Sequence, residues 1–417
     1  MIKQFFKNVP KEILDKTYIV GGIVRDIMYS KINNIVLNFN DIDYVVCNSS
    51  EQELLNLGFK KVAKDFPVFL KNGCEFALAR TEKSTGDKYT DYIVSTNNVI
   101  LEEDLSRRDL SINMMAIDYD GNLIDPYNGF NDLKNGILRH RFNTFMEDPL
   151  RMLRLARFSA KYPDFTMAKE TIQLCKDNSN KIKEISNTRI FLEVQKVMGY
   201  ENPVIFFKSL EQLDLLKAIP YLNEMNSLKH NKNNHAEGNV FKHSILVLEE
   251  VSKLTKHIPT RFAALYHDIG KVHTYNEKSL TFYGHDDKDL CKNIVNELAL
   301  NFSLSKEIKE YIFKAATTHH KFHNFYELRP KTILDLVNSF KRNEFFLEEI
   351  LKVVEADSVG RWYKKDDKII KGEFNNTIKK DLINILKILN KQYNYKDVNR
   401  EQIIQHKINL IKGVLHA

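Results

Sequence analysis

Cysteine is scarce: Cys47, Cys74, Cys175 and Cys291 stand far apart with no CxxC pair, which excludes a disulfide framework and a thiolate zinc site. They read as reduced thiols. Nine prolines and fifteen glycines in 417 residues are too few for a fibrous or low-complexity chain, and no repeat of fixed period runs along it. Runs of about 18 uncharged apolar residues are also missing, and the start, MIKQFFKNVPKE, lacks the apolar core of a secretory signal. The expectation is a cytoplasmic protein with no membrane segment. What is present, 43% hydrophobic and 28% charged residues, describes a folded chain. Its length exceeds one ordinary domain of roughly 100–200 residues, so several modules are expected. A formal charge of +7 and a pI near 8.9 favour polyanionic partners, because Lys and Arg that neutralise phosphates release counterions. An excess this small is also common on surfaces that never meet nucleic acid.

Strand-like apolar segments crowd the first 140 residues: TYIVGG, DIDYVV, FPVFL, EFALAR and MMAIDY, bounded by Gly, Asn and Asp turns. From about Pro149 the apolar spacing becomes helical, as in LRMLRLARFSAKY and RIFLEVQKVM, and the remainder reads as almost wholly α-helical. Ten of the thirteen histidines lie between His230 and His323, marking a chemically distinct module, with NSLKHNKNNHAEGN as the linker into it. The fold class expected is an α/β head, a small mixed β-sheet with helices, followed by an all-α body.

In YIVGGIVRD a strand runs into Gly21-Gly22 and then a helix, so backbone amides can face a phosphate, with Arg25 as a charged donor. An isolated GG pair is more often a plain strand-turn-helix. In NDIDYVV, Asp41 and Asp43 are two apart on a strand, so alternation puts both carboxylates on one face. Such a pair suits Mg²⁺ and in-line phosphoryl transfer, although a charged strand end reads equally well in isolation. The order decides: glycine turn, Arg, then D-x-D on the next strand.

That order resembles the nucleotidyltransferase superfamily, and downstream text narrows the resemblance to the bacterial CCA-adding enzymes and their poly(A) polymerase relatives. The segments FKKVAKDFPVFL, EFALARTEKSTGDKYTDY, LEEDLSRRDLSINMMAID, LIDPYNGFNDLKNGILRH and MEDPLRMLRLARF follow in the family's order. The resemblance covers Tyr18 to Arg361. It departs in MYSKINNIVLNFN, which is longer than the family's text, and at Met114, where a small residue is usual. By resemblance, Arg107, Arg108, Asp109 and Asn113 of SRRDLSIN contact phosphates and ribose hydroxyls. Asp109 reads alternatively as a salt-bridge partner for either arginine.

EDPLRMLRLARF opens with two acids and a proline, a good helix N-terminus, and Arg151, Arg154 and Arg157 recur every third residue beside Leu150, Leu153 and Ala156. A solvated basic face is one reading. The other is that Asp148 only accepts, Arg151 only donates, and i,i+3 spacing lets both meet one flat base edge. Cytosine and adenine present an amino donor beside a ring-nitrogen acceptor and fit that pair, whereas uracil and guanine do not. In CCA-adding enzymes the matching EDxxR motif has this role, which implies Glu147, Asp148 and Arg151 here, with Arg154 near the phosphates.

His243 stands near the start of one helix and adjacent His267 and Asp268 at the end of another. Such a triplet can converge on a transition metal or Mg²⁺ and activate a bound water. H…HD followed by a distant Asp resembles the HD-domain phosphohydrolases carried by one branch of CCA-adding enzymes. The implied final ligand is Asp357, in EADSVGR, and His285 and His319 are further candidates for phosphate or a second metal.

The organisation expected is a nucleotidyltransferase head at 1–140, a helical neck at 141–230, an HD domain at 238–340 and a helical region at 341–417. The resemblance implies addition of the tRNA 3′-terminal CCA from CTP and ATP, with Mg²⁺ in the head. A divalent transition metal, Ni²⁺ among the candidates, or Mg²⁺ is implied in the HD site. The HD activities implied are phosphatase, 2′-nucleotidase and 2′,3′-cyclic phosphodiesterase. Partners are tRNA, CTP and ATP, no membrane, with a monomer or homodimer open. The rivals are a poly(A) polymerase, or chiefly a phosphohydrolase with an RNA-binding head.

Overall fold

The computed structural model describes residues 2–36, 42–62, 67–84, 92–231, 235–365, 368–391, 393, 395 and 398–416. The chain divides into two compact units, one of Met1–Ser186 with Ser209–Leu215, the other of Asn187–Lys208 with Leu216–Ala417.

The first unit is built on a seven-stranded mixed sheet. Its strands are β1 (Thr17–Val20), β2 (Asp43–Val46), β3 (Lys60–Lys61), β4 (Val68–Lys71), β5 (Cys74–Leu78), then, after β6 (Thr81–Ser84) and β7 (Tyr92–Ser95), β8 (Ala116–Ile117) and β9 (Leu123–Ile124). Their order is β3-β4-β5-β2-β1-β8-β9, while β6 and β7 form a separate pair. Only β2 and β5 run parallel in the large sheet; the other pairings are antiparallel. Alternation sorts the residues: Val20, Val45 and Ala116 meet Leu101, Leu105 and Met114 in one buried cluster. Met114, the departure from family text, is thus a packing residue, 1% exposed. A parallel pair, β10 (Ile137–Leu138) with β11 (Thr166–Met167), brackets the helix Leu150–Lys161 in sequence.

The helix Gly129–Lys134 lies so close to Ser111 that a Cβ on Gly129 would stand 2.1 Å from the Ser111 carbonyl oxygen. Asp125 holds that helix start, accepting from Gly129 N at 2.7 Å and Phe130 N at 2.9 Å.

The second unit packs the helices Val240–Leu254, Ile258–Tyr266, Lys306–His323 and Glu344–Gly360 around a common core. Arg261 is fully buried there and donates to the Met198, Tyr200, Ser252 and Thr255 carbonyls, satisfying helix ends that the core hides from water. The expectation of an α/β head and a helical body holds, with two exceptions, the first being β11 in text read as helical. A hairpin of β12 (Trp362–Lys365) and β13 (Lys368–Lys371) interrupts the helical body. Its exposed strands bury so little that no hydrophobic alternation announced them.

Gly270 is the second close approach: a Cβ would lie 1.9 Å from the His285 carbonyl oxygen. Gly129→Ala and Gly270→Ala should each cost about 1–3 kcal/mol, the usual cost of overpacking a rigid backbone contact. Chemical unfolding of each purified variant, with loss of midpoint at unchanged slope, checks this.

Candidate nucleotide and metal sites

In the β1–β2 register Val20 faces Asp43, so the glycine turn after β1 and the carboxylate opening β2 share one sheet end. Gly21 has φ +75°, a left-handed value glycine adopts at little cost. A Cβ on it would lie 3.0 Å from Arg108 Nη1 and 3.7 Å from Asp43 Oδ2. Gly21, Asp43 and Arg108 therefore converge, and Gly22 opens the helix Gly22–Asn33 beside them. Asp41, the other expected carboxylate, lies outside the described residues.

Asp104 organises this end and escaped sequence analysis, hidden in what reads as an acidic first turn. It is fully buried; Arg107 donates to its Oδ1 at 2.7 Å and Arg108 to its Oδ2 at 3.2 Å. Burial alone would raise its pKa, but the two guanidiniums outweigh that and hold it below the ordinary carboxylate range. The i,i+3 and i,i+4 spacing of Asp104 to both arginines was the available signal.

Arg25, expected as a phosphate donor, is 5% exposed. Its guanidinium donates to Asn113 Oδ1 at 2.6 Å, Tyr162 Oη at 2.8 Å and Asp26 Oδ1 at 2.9 Å. These bonds engage Arg25 inside the fold and tie the glycine-turn helix to its neighbours. Asn113, expected at the ribose, passes the network on, donating to Asp109 Oδ1 at 2.7 Å. Asp109 pairs neither Arg107 nor Arg108; Arg154 holds its Oδ2 at 2.7 Å. Although Asp109 is buried, Arg154 and Asn113 keep its pKa well below the usual value. On the helix Leu150–Lys161, Arg151, Arg154 and Arg157 are half-exposed while Met152, Leu153, Leu155, Ala156 and Phe158 are buried. Asp148 and Arg151 lie at its N-terminal end, where Asp148 Oδ1 accepts from Leu150 N at 3.1 Å and Arg151 donates to Thr144 O at 2.6 Å. Glu147 ends the preceding 3₁₀ turn, Asn143–Glu147.

In the second unit His243, His267, Asp268 and Asp357 meet, each 2% exposed or less. His243 Nε2 stands 3.0 Å from Asp357 Oδ1, and His267 Nε2 lies 3.3 Å from Asp268 Oδ2 and 3.7 Å from Asp357 Oδ1. His285 and His319 join them, their Nε2 atoms 3.4 and 3.5 Å from Asp268 Oδ1. The Nδ1 atoms of His267, His285 and His319 each lie 2.9 Å from a backbone carbonyl, of Ala264, Phe282 and Ala315. A carbonyl only accepts, so each Nδ1 carries a proton and each Nε2 is turned to the carboxylates at the centre. His267 Nε2 is buried without a hydrogen-bond partner among the described residues. Nε2 atoms beside carboxylates, one of them without a hydrogen-bond partner among the described residues, form a nitrogen-and-oxygen donor set that fits a divalent cation.

Sequence reasoning missed several neighbours. Lys271 neutralises Asp268 at 2.6 Å, and His323 Nε2 lies 2.6 Å from Asp357 Oδ2. Glu237 Oε1 stands 2.9 Å from His243 Nδ1 and 2.7 Å from His235 Nδ1. His230 is 2% exposed. The segment expected as a polar linker thus places three side chains against the centre. Burial pushes the His243 imidazole down, but Asp357 and Glu237 outweigh it and raise its pKa. Burial depresses His285 to about 4, keeping it neutral at physiological pH. A cavity of about 450 Å³ adjoins the centre, lined by His230, His235, Lys271, His285, His320 and Arg361 among others.

Three family models match successive stretches of the chain. Residues 17–139 match the family model of the poly(A) polymerase head domain, 164–225 that of a probable RNA and SrmB-binding site of polymerase A, and 240–359 that of the HD domain. The multifunctional CCA protein of Shewanella frigidimarina is 38% identical over 356 residues, 83% of this chain and 84% of that one. That of Mannheimia succiniciproducens is 38% identical over 363 residues, 83% and 84% of the two chains. A solved CCA-adding enzyme in an apo form matches with a TM-score of 0.63 at 20% identity, covering 99% of this chain and 90% of that one.

Removing Asp104 strips two arginines of their shared partner, and Asp104→Ala should cost about 3 kcal/mol at pH 7. Because the folded pKa of Asp104 is depressed, its contribution is fully present above the unfolded value of about 4 and fades as pH falls below it. Denaturant titrations of wild type and variant should therefore converge below about pH 4.

Proposed function

Since the chain belongs to the CCA-adding enzymes of the multifunctional, HD-bearing type, we propose that this nucleotidyltransferase builds and repairs the 3′-terminal CCA of tRNA from CTP and ATP. The observation that carries the reading is the convergence of Gly21, Asp43 and Arg108 on one sheet end. In the step proposed, the tRNA 3′-hydroxyl attacks the α-phosphate of CTP or ATP, a phosphodiester forms and pyrophosphate leaves with the electron pair of the broken bond. Asp43, with Asp41, would hold Mg²⁺, which supplies charge neutralisation of the triphosphate and a lower pKa for the attacking hydroxyl. Arg108 and Arg107, fixed by Asp104, face the phosphates. Asp148 accepts from the exocyclic amino group of cytosine or adenine while Arg151 donates to the adjacent ring nitrogen, which discriminates against uracil and guanine. Arg154 and Asp109 orient that helix through their ion pair.

The second activity proposed is hydrolysis of phosphomonoesters and 2′,3′-cyclic phosphodiesters at the HD centre. It is supported by the buried donor set of His243, His267, Asp268 and Asp357. These residues would hold a divalent transition metal or Mg²⁺, which supplies a water nucleophile near neutral pH. Lys271 and Arg361 line the adjoining cavity as donors for the substrate phosphate. Among the described residues no helix is long and apolar enough to cross a membrane.

Incubation of the protein with a tRNA lacking its 3′ end, Mg²⁺ and labelled nucleotides should give addition of C, C, then A, and stop. An open-ended A ladder would mean a poly(A) polymerase instead. Asp43→Ala should abolish addition while tRNA binding, measured by filter retention, persists. Conversely, His267→Ala should remove hydrolysis of 2′,3′-cyclic AMP and leave CCA addition within about twofold of wild type, a difference of under 0.5 kcal/mol. Loss of both activities together would contradict two separate sites.

A further inference from the structure

Five lysines surround a cavity on the second unit apart from the histidine centre. It encloses about 420 Å³ and is lined by Lys288 and Lys292, by Lys306, Lys309 and Phe313, and by Lys341 with Glu310. Glu310 is already paired with Lys341 at 2.8 Å. Lys288, Lys292, Lys306 and Lys309 have no carboxylate within ion-pair distance among the described residues, so the cleft carries uncompensated positive charge. We propose that this cleft binds the phosphodiester backbone of single-stranded RNA, the strand whose end enters the HD centre. The inference rests on the phosphohydrolase reading for where that strand leads.

Continuity with the centre is the first argument. The helix Lys306–His323 carries Lys306, Lys309 and Phe313 near its start and His319, His320 and His323 at its end. At about 1.5 Å per residue, Lys309 and His319 are separated by about 15 Å along one rigid element. Lys288 opens the helix Lys288–Asn301 three residues after His285. The helix Lys306–His323 therefore bears two of the lysines and part of the centre, and the helix Lys288–Asn301, which bears two more, starts just after His285.

Ligand chemistry is the second argument. A site for a small nucleotide is specified by a few fixed, partly buried polar groups. Here the cations are flexible ammonium groups; Lys288, Lys292, Lys306 and Lys341 are exposed. Lys288 with Lys292 and Lys306 with Lys309 each span about one turn at the start of their helix, an arrangement that follows a chain of phosphates without reading sequence. Phe313, half-exposed in the floor, offers a face on which a base of any identity stacks.

The test uses the full chain and a variant carrying Lys288→Ala, Lys292→Ala, Lys306→Ala and Lys309→Ala. Binding of a single-stranded oligoribonucleotide is measured across salt concentrations, and hydrolysis is compared between an oligoribonucleotide ending in a 2′,3′-cyclic phosphate and 2′,3′-cyclic AMP. Four lost phosphate contacts should flatten the slope of log K against log salt by about 3. The variant should lose about tenfold in kcat/KM on the oligonucleotide and keep cyclic AMP hydrolysis within about twofold, with Arg at the four positions restoring both readouts. An unchanged salt slope, or equal losses on the two substrates, would overturn the proposal. So would free ATP competing with the oligonucleotide on wild type but not on the variant, which would make the cleft a nucleotide site. A wild type that hydrolyses neither substrate would defeat the phosphohydrolase reading alone, and the salt slope would still decide whether RNA occupies the cleft.

Discussion

A carboxylate taken out of water must be met by cations or donors at close range, and both sites in this chain are consequences of that demand. In the interior each uncompensated charge costs several kcal/mol, so the groups that answer it lose their freedom to move. Asp104 and Asp109 impose this on the head, Asp268 and Asp357 on the helical unit. Around Asp104 the result is two arginines fixed beside the glycine turn. Around Asp109 it is a network running through Asn113 and Arg25 in one direction and Arg154 in the other. The arginines beside the glycine turn and those that brace the fold are thus both held by buried carboxylates.

The helical unit solves the same problem with imidazoles. Backbone carbonyls and Glu237 tie down the Nδ1 side of the rings, so their orientation is settled before any ligand arrives. What remains facing Asp268 and Asp357 is a set of Nε2 atoms, and Lys271 and Arg361 compensate the two carboxylates only in part. Preorganisation of this kind separates a metal site from a chance cluster of histidines, since the ring directions are fixed by second partners. Gly270 is part of the same arrangement, because only a residue without a Cβ lets the backbone at His285 come so near.

Much of this was legible in the chain. Period-two apolar text located β1, β2, β4, β5 and β8, and the 3.6-residue period located the arginine-bearing helix. The weakly apolar hairpin β12–β13 was not legible, because strands with almost nothing to bury leave no pattern. Nor were the partners that Arg25 finds inside the fold, Tyr162 and Asn113, which stand 137 and 88 positions away from it. Glu237 and His230 looked like linker for the same reason, since polar text marks a loop without saying what the loop packs against.

By itself the sequence determined the modules' chemistry: which stretches alternate as strands, which wind as helices, and where acids, arginines and histidines stand at spacings suited to phosphate and metal. These are local properties, set by backbone periodicity and by what each side chain donates or accepts. Only the tertiary structure decided which of those groups meet one another and which are consumed inside. Burial and the distance between residues far apart in sequence fix the cost of leaving each charge unpaired, and neither quantity exists until the chain has folded.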